Sequence, residues 1–226
     1  MKLGLVVATK NEFTAIFKFR NIENVKLEQS PFPLFKIILE GKEIYAINCG
    51  IGEINSALAT QHLIDKYGVD TIINYGVVGS LVDDLTLNST VVIDRIFDYE
   101  LDLKDLDGTP LGYHQDFDSV YLNPSKDLLE LVKNNFPNIP HVACASGNKF
   151  ITDTKFKDYL HDNFGCLICE MEALGILVAC LKHNCKSIFI KGVSDSRNGG
   201  IDEYYKMVDE SAGITFEILT NIIRLL

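Results

Sequence analysis

Short apolar runs, each followed by a longer amphipathic stretch, recur along the whole chain, and this alternation restricts its fold more than any other feature. Candidate strands fall at 3–8, 35–39, 43–48, 71–74, 90–94, 141–145, 166–169 and 187–191. Candidate helices fall at 11–19, 53–66, 126–135, 155–162, 171–182 and 202–225. The helices rest on apolar spacing, as with Ile54, Ala57, Leu58, His62 and Leu63 in the second. Pro124-Ser125 and Thr154 are start signals for the third and fourth. Strands that lead into helices of this length predict an α/β fold, a three-layer α-β-α sandwich around a central mixed, mostly parallel sheet. Residues 35–48, with Glu40-Gly41-Lys42 at the turn, read instead as a hairpin. No repeat or Pro/Gly-rich linker divides residues 1–226, so one domain is expected. The long irregular stretch 98–122, rich in Asp, Tyr and Gly, has the length of a functional lid or contact surface.

Charge and cysteine usage narrow the function. A formal net charge of -10 argues against a nucleic-acid partner, whose phosphates call for a basic face, but not against a small uncharged substrate. The apolar start passes directly into Thr9-Lys10-Asn11-Glu12, which fits a first strand better than a signal peptide. No apolar run has membrane-spanning length, and a cytoplasmic protein with no membrane partner is expected. The six cysteines are then expected to be reduced. Cys166-x-x-Cys169 lacks the second ligand pair a zinc site needs, so no metal is predicted and core packing is the simpler reading.

In open α/β sheets ligands sit at the carboxyl ends of strands. Glu12, Gly50 and Gly52, Gly76 and Gly79, Ser146-Gly147, Glu170-Met171-Glu172 and Ser194-Asp195 are all expected there. Singly each reads as a cap or a turn; several carboxylates gathered on one rim repel one another and imply a chemical purpose. Gly50-Ile51-Gly52-Glu53-Ile54-Asn55 departs from a dinucleotide fingerprint at its third glycine, and Asn74 stands where an acidic residue should end the next strand. No NAD or other cofactor is expected. In an extended Glu170-Met171-Glu172 the two carboxylates would share a side, able to accept from a ribose diol while Met171 packs on the sugar. Placement at a helix start, where the dipole favours Glu, is the alternative.

These pieces, in this order and spacing, resemble the nucleoside phosphorylase superfamily, and within it the 5'-methylthioadenosine/S-adenosylhomocysteine nucleosidases. The likeness runs through Lys2-Leu3-Gly4-Leu5-Val6 with Glu12, Gly50-Ile51-Gly52, Asn74-x-Gly76-x-x-Gly79, Ser146-Gly147 with Phe150-Ile151, Glu170-Met171-Glu172-Ala173 and Ser194-Asp195. The resemblance implies an inverting-style hydrolysis of an N-glycosidic bond that releases adenine, as in methionine salvage, by a homodimer. It assigns Asp195, beside Ser194, to protonating the purine and Glu12 to activating water. Glu172 and Met171, with Glu170, fall to the ribose, and Phe150 and Ile151 to the purine. Glu12 stands where phosphorylases carry a phosphate-binding arginine, and a carboxylate there would repel phosphate by ~1 kcal/mol or more even in water. Hydrolysis is therefore expected over phosphorolysis, or over nucleoside binding without turnover.

Two positions depart from the family pattern. Val77, next to Gly76, replaces a small polar residue near the reactive water, and Lys191 replaces an arginine without its bidentate fork. A 5'-alkylthio group would need an apolar pocket, for which the stretch 98–122 is the expected source, in part from the neighbouring subunit.

Overall fold

The structure, a computed structural model, describes residues 1–19 and 22–226. Its strands are β1 (Leu3–Val7), β2 (Asn24–Glu28), β3 (Leu34–Leu39), β4 (Lys42–Asn48), β5 (Thr71–Ser80), β6 (Thr90–Asp98), β7 (Tyr121–Leu122), β8 (His141–Ser146), β9 (Ile168–Glu170) and β10 (Lys186–Asp195). The helices are α1 (Lys10–Phe19), α2 (Glu53–Tyr67), α3 (Lys104–Asp107), α4 (Lys126–Asn135), α5 (Thr154–Phe164), α6 (Ala173–Lys182) and α7 (Ile201–Leu225).

Alternation along the central strands explains the layers. In β1, Leu3, Leu5 and Val7 pack with Phe13, Ile16 and Phe216, on the face covered by α1, α4 and α7. Val6 points the other way, among Leu63, Leu174 and Leu177 of α2 and α6. In β5, Ile72 and Ile73 divide between the same two clusters. A strand buried on both faces reads as a continuous apolar run, which is why these segments stand out in the sequence.

The sheet order is β10-β6-β8-β9-β5-β1-β4-β3-β2, with β7 added beside β6. β1 lies parallel to β4 and β5, β5 to β10, and β8 to β6 and β9. β10 also pairs with β5, so β5, β9, β8, β6 and β10 form a closed ring from which the other strands extend. That closure depends on distant pairings and refines the expected sandwich.

Several expected boundaries need correction. β5 and β10 run on to Ser80 and Asp195, so Gly76, Gly79 and Ser194-Asp195 lie inside strands rather than after them. β9 starts at Ile168 and α6 at Ala173, later than read from the sequence. The hairpin is present, and the exposed edge strand β2, unforeseen, pairs with its outer side. The stretch 98–122 begins at the end of β6 and holds α3, a 3-10 turn at Gln115–Phe117 and β7. The start signals hold: Ser125 is the N-cap residue of α4, without a side-chain cap bond, and α5 begins at Thr154, preceded by Asp153, whose carboxylate accepts from the Lys155 N–H. Five cysteines are buried and Cys185 is half-buried, all as free thiols.

Candidate active site

The site is organised by β5, whose two inner glycines leave room for two carboxylates. Gly76 faces Glu12: a Cβ at 76 would lie 2.6 Å from Glu12 Oε1. Gly79 faces Asp195: a Cβ there would lie 2.7 Å from Asp195 Oδ2. β10 runs parallel to β5 with Asp195 opposite Gly79, and β9 runs antiparallel with Cys169 opposite the same glycine. Ring closure thus places residues from three strands around one point.

Glu12 is fixed from both sides. Thr9 and Glu12 form a capping box at the start of α1. The Glu12 N–H donates to Thr9 Oγ1 at 3.2 Å, and the Thr9 N–H donates to Glu12 Oε2 at 2.8 Å. The Thr9 hydroxyl also donates to Oε2, at 2.7 Å, and the Val77 N–H donates to Oε1, also at 2.7 Å. Val77 therefore orients the carboxylate through its backbone, and the apolar side chain leaves that contact intact. Glu12 thus caps the helix and also lines the cavity, and Thr9-x-x-Glu12 is the sequence signal for the cap.

Glu170 and Glu172 do not share a side as an extended segment would require. The chain bends at Met171, and the two carboxylates serve different partners. Glu170 Oε2 accepts from the Glu172 and Ala173 N–H groups at the start of α6, at 3.0 and 2.8 Å, and from Lys191 Nζ at 3.2 Å. Glu172 Oε1 accepts from the Gly52 N–H at 2.9 Å. The glycine turn after β4 thus serves the carboxylate that the sequence assigns to ribose. Burial, and next the neighbouring Glu170, push the Glu172 carboxyl upward, against the pull of Lys191 and the Gly52 N–H. Lys191 is buried beneath this pair; burial alone would lower its ammonium, but Glu170, Glu172 and Glu12 outweigh it and raise it.

Asp195 is held by Ser194 Oγ, which donates to Oδ1 at 3.1 Å, and by Lys157 Nζ, 3.5 Å from Oδ2. Burial raises its carboxyl above the usual range, opposed by Lys157 and by the Ser194 hydroxyl. A carboxyl shifted upward beside a cavity is better suited than an ordinary surface carboxylate to carrying a proton to a ligand.

These groups border a cavity of about 430 Å3, the size of a small-ligand site. Glu12, Val77, Phe150, Ile151, Glu170, Met171, Glu172, Ser194 and Asp195 line it; Gly76 and Lys191 do not, but lie against the lining carboxylates of Glu12 and Glu170. Phe150 is half-exposed at the mouth, with its ring 5.5 Å from Tyr204 in an edge-on contact. Thr9, Cys169, Ile201, Tyr204 and Tyr205 also line the cavity and were not foreseen. The tyrosines come from the first turns of α7, where helical periodicity alone does not separate a cavity wall from a surface. Lys149 is the one cation among the described lining residues, and its ammonium lies 4.9 Å over the Phe156 ring.

The superfamily model for phosphorylases matches residues 2–224 of this chain. The chain belongs to the phosphorylase superfamily. An aminodeoxyfutalosine nucleosidase of Helicobacter pylori is 27% identical over 221 residues, covering 96% of this chain and 90% of the relative. A 5'-methylthioadenosine/S-adenosylhomocysteine nucleosidase of Staphylococcus aureus is 26% identical, covering 94% of each chain. Among solved structures, the H. pylori 5'-methylthioadenosine/S-adenosylhomocysteine nucleosidase with butyl-thio-DADMe-Immucillin-A aligns with a TM-score of 0.92 at 24% identity, over 100% of this chain and 99% of that one. The native H. pylori futalosine hydrolase aligns at 0.91 and 25% identity, over 100% and 98%. The superfamily sheet with its closed ring is therefore the fold of this protein.

Proposed function

We propose that the protein is a purine nucleosidase that hydrolyses the N-glycosidic bond of adenosines carrying a 5'-thio substituent, such as methylthioadenosine and S-adenosylhomocysteine, and releases adenine. The observation that carries this reading is the placement of Glu12 and Asp195 over two glycines of one strand. Gly76 and Gly79 are three residues apart, about 10 Å along β5, which is enough for a nucleoside and a water to sit between base and acid.

Asp195 gives its proton to purine N7, and the C1'–N9 bonding pair leaves with adenine. Water attacks the electron-poor C1' while Glu12 takes its proton, so adenine and a 5'-substituted ribose result. Glu172, with one oxygen held by Gly52, supports the ribose hydroxyls, Met171 packs on the sugar, and Phe150 and Ile151 flank the base. Ile51, Ile201, Tyr204 and Tyr205 offer the apolar contacts a 5' substituent needs.

Phosphorolysis is disfavoured because the carboxylates of Glu12, Glu170, Glu172 and Asp195 border the cavity and the one lining cation is drawn onto a ring. The nucleosidase names of the relatives support the same choice. The decisive assay incubates the enzyme with methylthioadenosine, S-adenosylhomocysteine, aminodeoxyfutalosine, adenosine and inosine, with and without phosphate. Adenine and free sugar in phosphate-free buffer are expected; strict phosphate dependence would overturn hydrolysis. Preference for aminodeoxyfutalosine would move the 5' group to another class. D195N should lose most turnover and still bind nucleoside.

A homodimer is part of this reading. Ile51, just before α2, and Ile54 and Leu58 within it present exposed apolar side chains. There Asn148 accepts from the Glu53 N–H and its own N–H donates to Glu100, tying the helix start to the stretch 98–122. Sedimentation should give a dimer that I54K/L58K dissociates. No described helix is long and apolar enough to cross a membrane, in keeping with the proposed cytoplasmic location.

A further inference from the structure

We propose that Lys157 is a positioning residue for the purine acid: from behind the cavity it fixes Asp195 and sets the pH range over which that acid can donate. The inference rests on the proposed role of Asp195. Lys157 belongs to α5, yet its side chain is 0% exposed. A lysine that deep is rare without a partner, because removing an ammonium from water is costly. Its Nζ donates to Ser196 O at 2.9 Å and lies 3.5 Å from Asp195 Oδ2. It therefore grips two consecutive residues at the end of β10. Six residues before it in the chain, Ile151 lines the cavity beside Phe150. One short segment thus supplies the wall assigned to the base and the cation behind the acid.

The chemistry gives the cation a purpose. When Asp195 passes its proton to N7, the O–H bond breaks, an N7–H bond forms, and a carboxylate is left in a buried site. Burial by itself makes that carboxylate costly and the acid a weak donor. An ammonium at 3.5 Å stabilises the carboxylate as it develops, so its benefit grows towards the transition state. The other groups facing Asp195 do not supply this charge. Ser194 Oγ is a neutral donor from β10, and Cys169 lies on β9 across Gly79. Tyr204 and Glu203 come from α7, and Glu203 opposes the carboxylate while accepting from the Ser196 N–H at 2.5 Å. Arg197, next in the chain, is engaged by Asp158 at 2.6 Å and by Asp83 at 3.7 Å.

The test compares K157M and K157R with the wild type. Removing the cation disfavours the carboxylate, so Asp195 should keep its proton to higher pH. The alkaline limb of the kcat/KM profile should move up by about 1–3 pH units in K157M. The plateau kcat should fall about 10-fold or more, because the donor is weaker, with little change in KM. K157R should restore the limb. A second readout is independent of turnover: the infrared difference between wild type and D195N isolates the Asp195 carboxyl band, and its titration should move up in K157M. Should K157M fold poorly, K157Q carries the same measurement. A limb and a carboxyl titration unmoved by loss of the cation, with activity falling equally at every pH, would overturn the proposal. If no nucleoside is cleaved by the wild type, the nucleosidase reading fails while the infrared titration still decides the Lys157 coupling.

Discussion

Gly79→Ala isolates the geometry of the acid from the stability of the fold. Gly79 does not need glycine for its backbone, since its φ lies outside the left-handed region, so alanine adds only a methyl group. That methyl would sit 2.7 Å from Asp195 Oδ2 and 3.3 Å from Cys169 Sγ. A comfortable carbon–oxygen contact is nearer ~3.3 Å, by the usual contact distances between non-bonded heavy atoms. The carboxylate must then retreat by about 0.6 Å, or the strands must part. The carboxylate end is the more mobile of the two, so its retreat from Gly79 is the expected response. The stability cost should stay near ~1–2 kcal/mol, as for a small overpacking. The activity cost should be far larger, because displacing a catalytic group by the better part of an ångström can cost about 100-fold.

The assay is kcat/KM for adenine release by wild type, G79A, D195N and the double variant, with thermal melts of all four. If the methyl acts through Asp195, G79A costs about 100-fold in the wild type but less than about 3-fold in the D195N background, where the group it displaces no longer donates. Equal losses in both backgrounds would refute the reasoning, and so would a G79A enzyme within about 3-fold of the wild type. In either case Gly79 would not be making room for a working acid.

The remaining predictions probe the other groups. E12Q should lower kcat by about 100-fold or more with little change in KM, measured by steady-state adenine release, since it removes the proposed base and leaves the binding surface. T9V deletes the hydroxyl donor to Glu12 Oε2 but keeps the Thr9 and Val77 N–H bonds, so about a 10-fold loss in kcat is expected; a loss as large as that of E12Q would place Thr9 in the chemistry itself. Glu53 offers a pH test of stability. Burial, with Asp98, Glu170 and Glu100 nearby, raises its carboxyl from 4.5 to about 7, so the folded state holds that proton more tightly than the unfolded chain. Its stabilising contribution is full below about pH 4.5 and is lost as pH rises through about 7. E53Q should therefore melt higher than the wild type at pH 8, and the difference should shrink by pH 5.

Much of the fold was readable because the central strands are buried on both faces and so stand out as apolar runs. The parts that were not readable have physical reasons. β2 alternates, with Val25 and Leu27 between polar residues, but over five positions only and with both apolar side chains exposed, so it buries no face and pairs only because the β3–β4 hairpin offers an open edge. The ends of β5 and β10 hide behind glycine and polar residues, which argue against a strand when only the local segment is considered. Ring closure joins strands far apart in sequence and leaves no local mark.

The site divides along the same line. Glu12, Glu172 and Asp195 could be picked out because carboxylates at the ends of apolar runs are conspicuous. Lys157 could not, since a lysine in an amphipathic helix reads as solvent-facing until the acid behind it is seen. The division between Glu170 and Glu172 was likewise hidden, for strand alternation fails once the chain bends at Met171. Glu170 meets its demand for donors in the first N–H groups of α6 and in Lys191, and Glu172 is left to the cavity with Gly52 behind it. The glycines of β5 stand out in the sequence as candidates for the ligand rim just after the strand, whereas both lie inside it. The space they leave is used because α1 brings Glu12, and β10 brings Asp195, against them. A side chain at 76 or 79 would occupy the space of a carboxylate oxygen, so the strand gives up side-chain packing at those two positions to let two carboxylates approach its backbone.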